Sequence, residues 1–144
     1  MDLFIEFAGN HPLLAGGFVV VVLLIIFTEI ARRFQGYSEI SAATAVQWIN
    51  RHDARIIDIS ATADFNKGHI ADARHTPVSQ LGAAVTKFMK QPDKPVLVVC
   101  KNGQTAAATA GKLVKAGCKQ VAVLKGGMTQ WLADNYPVTR TPSR

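Results

Sequence analysis

The run PVLVVCKNGQTAAATAGKLVKAG, from Pro95 to Gly117, decides the fold. Pro95 to Val99 is a continuous apolar stretch, the pattern of a strand covered on both faces. Cys100 closes it and KNGQ follows, after which Thr105 to Ala116 is alanine-rich and helical, stopped by Gly117. An apolar strand passing through a tight loop into a helix is the repeating unit of a parallel sheet.

Working outward, the same alternation recurs on both sides. Ser41 caps a helix whose Ala45, Val46, Trp48 and Ile49 share one face. Arg55 to Ile59 (RIIDI) is a short β-branched strand, and Ala63 to Lys67 a brief helical turn. A helix after Pro77 places Leu81, Ala84, Val85 and Phe88 on one side and ends at the turn QPDKP. Val121 to Leu124 (VAVL) is a third apolar strand, and Gly126 and Gly127 turn the chain into a last helix, Met128 to Asn135, closed by Pro137. These elements predict an α/β domain over residues 37–138, a central and mostly parallel sheet with helices on both faces. Residues 139–144 read as a polar tail.

The segment before the domain is of another kind. Phe7 to Thr28 holds no Asp, Glu, Lys or Arg, and Leu13 to Phe27 (LLAGGFVVVVLLIIF) is wholly apolar. At 1.5 Å per residue, its 22 uncharged positions reach about 33 Å, enough for a hydrocarbon core of roughly 30 Å. A signal peptide wants a basic start, whereas Asp2 and Glu6 stand here, and no small-residue cleavage motif follows the run. A buried soluble helix wants polar positions at helical spacing, and Val19 to Ile26 offers none. Residues 1–36 are therefore expected to hold a short acidic tail, one transmembrane helix and a short polar linker. Arg32 and Arg33 follow the span and no basic residue precedes it, which predicts a single-pass membrane protein with its C-terminal domain in the cytoplasm.

Lys and Arg number 16 against 10 Asp and Glu, a net charge of +6 that arises after the span. The lysines are scattered without a basic run or interleaved aromatics, which argues against nucleic acid as a partner. A surface lying near anionic lipid accounts for them more simply. Two cysteines and four scattered histidines have no metal-ligand spacing, so no metal is expected.

Cys100 holds the position where chemistry is expected. In open parallel sheets ligands bind beyond the carboxyl ends of strands, and a tight loop entering a helix turns backbone N–H groups inward as an anion cradle. A thiol there has its nucleophilic thiolate form stabilised. Position alone is equally compatible with an inert buried cysteine.

Neighbouring motifs shift that balance. Asp58-Ile59-Ser60, then Asp64-Phe65-Asn66-Lys67-Gly68-His69-Ile70, then Ala73 to Pro77 resemble the N-terminal signature of rhodanese domains. Cys100-Lys101-Asn102-Gly103-Gln104-Thr105 resembles their active-site loop, and Leu124-Lys125-Gly126-Gly127 with Trp131 resembles their C-terminal glycine turn and helix. The resemblance implies a single rhodanese-like domain with sulfurtransferase activity. Cys100 would be the catalytic nucleophile, taking sulfane sulfur from a donor such as thiosulfate and passing it to a thiol or cyanide-like acceptor. Lys101, Asn102, Gly103, Gln104 and Thr105 would bind the persulfide and the donor's oxyanion, with Gly103 supplying backbone freedom. No metal or organic cofactor is implied.

The sequence also departs from the family. Its active members often carry an arginine five positions after the cysteine and a hydroxyl residue next, where Thr105 and Ala106 stand. The strand that often ends Asp-x-Arg ends with Ser60, the glycine of the GHIxG pattern is Asp72, and an asparagine position holds His75. Ala106 also occupies the site of the arginine that related phosphatases use to grip a tetrahedral oxyanion, which argues against phosphate chemistry. Thr105 is read as the cap of the helix, His69, His75 and Asp58 as structural hydrogen-bonding groups, and Trp48 and Trp131 as core aromatics. An internal disulfide is excluded if Thr105 to Ala116 is helical, since a rod roughly 17 Å long then separates the thiols. Cys118 is expected to pack in the core.

Two functions follow. The first is a membrane-anchored sulfurtransferase or persulfide carrier working through Cys100. The other is a catalytically weak rhodanese-like binding module, anchored at the membrane and acting through protein partners, a membrane protein among them.

Overall fold

The computed structural model describes residues 1–140, and the chain divides into two compact units that meet between Gln35 and Gly36. The N-terminal unit is two helices, α1 (Asp2–Asn10) and α2 (Pro12–Arg33). His11 leaves the helical region at φ −133° and ψ 64°, and Pro12 restarts the helix at the position where a missing N–H costs nothing. The supposed acidic tail is thus helical, and the long helix runs five residues later than the uncharged stretch suggests. Its 22 residues again reach about 33 Å, with Glu29, Arg32 and Arg33 in its last turns. It is long and apolar enough to cross a membrane, and none of its residues is buried.

From Gly36 onward the chain builds five parallel strands: β1 (Ser38–Ile40), β2 (Arg55–Asp58), β3 (Arg74–His75), β4 (Val96–Val99) and β5 (Val121–Leu124). Their order across the sheet is β1-β5-β4-β2-β3. The three strands predicted from apolar runs are the three central ones. The edge strands β1 and β3 have three and two residues, too few for an alternation to show, and only Ile40 of β1 points into the core.

Helices cover both faces, as the buried runs require. On one side Ile57, Val96, Val98 and Val123 pack under α5 (Leu81–Phe88) and α6 (Gln104–Ala116), through Leu81, Phe88, Ala106, Ala110 and Leu113. The other side sets Ile56, Leu97, Val99, Ala122 and Leu124 against α3 (Ala42–His52) and α7 (Gly127–Ala133), through Ala45, Met128 and Trp131. Every residue of β4 is fully buried. A short helix, α4 (Thr62–Lys67), and a 3-10 turn, Val78–Gln80, complete the connections.

Local chemistry sets the ends of these elements. Ser41 Oγ accepts from Thr44 N at 3.3 Å and so caps α3. Gly117, at φ 113°, closes α6 in the left-handed conformation that favours glycine. Trp131 is buried and donates through Nε1 to Pro137 O at 3.0 Å, while Trp48 is half-buried on the same layer. Beyond α7, Thr139 exchanges two backbone hydrogen bonds with His69, of 2.7 and 2.9 Å, which ties this stretch to the domain. Residues 141–144 of the expected polar tail lie outside the described residues.

Candidate functional site

Cys100 stands at the carboxyl end of β4, 2% exposed, where the chain leaves the sheet for α6. Its Sγ accepts a hydrogen bond from Gly103 N at 2.9 Å. That bond requires the loop to double back within three residues, and Gly103 makes the turn at φ 88°, in the left-handed region. Asn102 Oδ1 accepts from Gln104 N at 3.2 Å, which fixes the turn from the outer side. Lys101, Asn102, Gln104 and Thr105 are exposed around the buried sulfur, and Gly103 is half-buried.

This geometry corrects the reading of Thr105 as the helix cap. Gly103 is the N-cap and Gln104 the first helical residue, so Thr105 already lies within the first turn and makes no capping hydrogen bond. Ala106, one residue on, is fully buried against the sheet. An arginine cannot enter at that position without displacing core, whereas position 105 opens to solvent.

The loop is held from the far side by the start of α7. Met128 N donates to Cys100 O, and Thr129 N and Oγ1 both donate to Lys101 O, each at 2.9 Å. Gly127, at φ 60°, is the point of closest approach. A Cβ there would stand 2.3 Å from Cys100 O and 2.8 Å from the amide nitrogens of Asn102 and Gly103. The paired glycines after a strand signalled this turn in the sequence, but not that it clamps the cysteine loop. Nor did the sequence suggest that Asp64 of α4 stands 3.6 Å from Lys101 Nζ.

The other singled-out residues serve the scaffold. Asp58 Oδ1 accepts from the backbone N–H of Ser60 at 2.9 Å and also from its hydroxyl, while Oδ2 is buried without a partner among the described residues. His75 Nε2 donates to Ser60 O at 2.9 Å and His69 Nδ1 to Phe65 O at 2.8 Å. The Phe65 ring stacks on both imidazoles, with centroids 3.8 Å from His69 and 4.6 Å from His75. Asp72, which replaces a family glycine, occupies the left-handed region at φ 63°.

Both cysteines are free thiols. Cys118 is buried beyond Gly117, as expected; burial pushes its thiol pKa up, and the positive charge of Arg55 partly draws it back. No group of three or more potential ligand side chains gathers to hold a metal ion among the described residues.

Clefts lie at both ends of the sheet. One of about 260 Å³ adjoins the cysteine loop, between Glu39, Asn102, Gln104 and Lys125. A larger one of about 610 Å³ opens at the amino end of β2, among Asp53, Arg55, Arg74, Lys87 and Lys94. Volume does not decide between the two ends: in open parallel sheets ligands bind beyond the carboxyl ends of strands, and the exposed loop around Cys100 is there.

Comparison with known proteins gives a consistent result. The family profile of the rhodanese-like domain matches residues 41–134. The uncharacterized protein YibN of Escherichia coli K12 is 33% identical over 141 residues, 97% of this chain and 99% of its own length, so the likeness runs through the apolar N-terminal segment as well. The thiosulfate sulfurtransferase GlpE of Coxiella burnetii (strain RSA 331 / Henzerling II) is 34% identical over 97 residues, 67% of this chain and 89% of its own. Among solved structures, a rhodanese-related protein of Thermoplasma volcanium matches 73% of this chain and all of its own, at 28% identity and a TM-score of 0.61.

Proposed function

The chain belongs to the rhodanese-like domain family, and on that premise we propose that it is a membrane-anchored sulfurtransferase or persulfide carrier whose reactive atom is Cys100 Sγ. The observation that carries this reading is the 2.9 Å hydrogen bond from Gly103 N to that sulfur, made inside a loop whose remaining residues face solvent. A backbone donor aimed at sulfur stabilises negative charge there, whether on a thiolate or on a persulfide.

The proposed reaction has two steps. The Cys100 thiolate attacks the outer sulfur of thiosulfate; a sulfur–sulfur bond forms to the protein, the bond to the sulfonate sulfur breaks, and sulfite leaves with the electron pair. An acceptor thiolate or cyanide then attacks the outer persulfide sulfur, and the Cys100 thiolate departs. Lys101 to Thr105 would hold the donor through backbone N–H groups and the Lys101 ammonium. GlpE bears the name thiosulfate sulfurtransferase, which supports thiosulfate as one donor. This loop has no guanidinium and its lysine lies near Asp64, which favours slower thiosulfate turnover and a donor of lower charge.

The anchor in this reading is α2, with Arg32 and Arg33 keeping the domain on the cytoplasmic side. The division into an anchoring segment of residues 1–36 and a sulfur-handling domain of residues 37–138 follows the same line. Incubating the detergent-purified full chain with thiosulfate, and separately with glutathione persulfide, tests the chemistry. The peptide holding Cys100 should gain the mass of one sulfur atom and lose it to added thiol or cyanide, and Cys100→Ser should abolish both. No adduct from either donor would instead support a rhodanese-like binding module that works through a membrane-protein partner.

A further inference from the structure

Helix α1 has no role in the sulfur chemistry, yet its nine residues carry two opposed faces. Asp2, Glu6 and Gly9 fall on one side, at the spacing of successive helical turns, and Phe4, Phe7 and Ala8 fall opposite, with Leu3 beside Asn10 on one boundary and Ile5 on the other. Among the described residues Leu3 is 81%, Phe4 82% and Phe7 52% exposed. One non-helical residue, His11, separates this helix from the apolar helix α2.

We propose that α1 lies in the membrane interface on the side opposite the rhodanese-like domain, with Phe4 and Phe7 among the acyl chains and Asp2 and Glu6 among the headgroups. The inference rests on the reading of α2 as a span. Given that reading, a one-residue connection keeps α1 within reach of the bilayer surface, and a helix there buries its apolar side in lipid before any other partner can compete. The break at His11 is what lets the short helix turn away from the direction of α2. A second copy of the chain is a poor occupant, because a helix roughly 14 Å long offers far less than the roughly 800 Å² per partner of a stable interface.

The charges are informative as well. Interfacial helices that find membranes unaided carry lysine and arginine for anionic lipid, and α1 carries Asp2 and Glu6 instead. Its attachment therefore depends on apolar burial and the tether, and should be indifferent to lipid charge and to salt.

The test uses the full chain, with Cys100→Ser and Cys118→Ala, in phosphatidylcholine vesicles. Leu3→Cys, Phe4→Cys, Glu6→Cys, Phe7→Cys, Asn10→Cys and Val21→Cys are introduced one at a time and spin-labelled. Collision of each label with lipid-soluble oxygen is compared with collision with an aqueous nickel chelate. Positions 4 and 7 should favour oxygen over the chelate by about tenfold more than position 6, with positions 3 and 10 between them. High salt or added anionic lipid should leave that pattern unchanged. Five equally wet positions with Val21 in oxygen-rich surroundings would overturn the proposal and leave the span intact, and five equally oxygen-rich positions would overturn it by making α1 part of the span. A pattern that appears only at high protein-to-lipid ratio would overturn it in favour of a second copy. A water-accessible Val21 would overturn both the span and the interfacial helix.

Discussion

Cys100 and Cys118 are buried almost equally, 2% and 5% exposed, and neither is in a disulfide. They stand at opposite ends of the sheet, Cys100 where β4 runs out and Cys118 just before β5 begins. Burial alone therefore does not distinguish the two thiols. What differs is the chain around each sulfur: both pack in one apolar cluster, but Cys100 also meets a glycine N–H at 2.9 Å and an exposed loop, whereas burial at Cys118 pushes its thiol pKa up. The end around Cys100 is built from main-chain groups and glycines. The amino end of the sheet is held by side chains, with Lys94 paired to Asp53 at 2.5 Å and Arg55 donating to Phe88 O and Gln91 Oε1.

Four substitutions break or sharpen that contrast. The largest effect is expected from Gly127→Ala, whose methyl group would overlap Cys100 O and the loop amides. It should cost about 3 kcal/mol or more of stability and abolish persulfide formation, read by denaturant titration and by mass spectrometry of the Cys100 peptide. Arg55→Ala attacks the opposite end. It removes two hydrogen bonds and a guanidinium 5.3 Å from the centre of the Phe88 ring, for about 2 kcal/mol, and should leave the rate of sulfur uptake by the folded protein unchanged.

Thr105→Arg sharpens the contrast by restoring a guanidinium at an exposed position of the α6 first turn. Thiosulfate turnover, followed as thiocyanate release, should rise about tenfold, equivalent to about 1.4 kcal/mol of transition-state stabilisation, with little change in melting temperature. Cys118→Ala should have the smallest effect, about 1 kcal/mol from lost packing, and no effect on persulfide formation. It also has a pH signature. A thiol whose pKa is raised by folding stabilises the native state fully below its unfolded value, and that contribution is lost as pH climbs through the folded value. Stability curves of the two proteins should therefore converge above about pH 8.5, where unfolded thiols ionise.

The central strands were legible in the sequence because PVLVV and VAVL are covered on both sides, which leaves no polar position to interrupt the run. β1 and β3 were not, since two or three residues paired along one edge leave no periodic trace. α1 was hidden by its charges: Asp2 and Glu6 suggest a solvated tail until their helical spacing is set beside that of Phe4 and Phe7. At the site, the order of strand, loop and helix placed Cys100 at the carboxyl end of its strand, while its role and that of Gly103 came only from the resemblance to rhodanese domains. The cap at Thr105 was misplaced because a hydroxyl is the commoner capping signal, whereas here a left-handed glycine ends the loop two residues sooner. Gly127, Thr129 and Asp64 meet the loop from other elements, so only packing reveals their part.

The hydrogen bonds from α7 have one more consequence. Every peptide unit near a sulfur brings a carbonyl as well as an N–H, and an inward carbonyl would repel an anion as strongly as the N–H attracts it. Here the carbonyls of Cys100 and Lys101 are turned outward and occupied by Met128 and Thr129. The loop thus shows its sulfur a lining from which two acceptors have been subtracted, so α7 bears on the charge the sulfur meets by what it takes away.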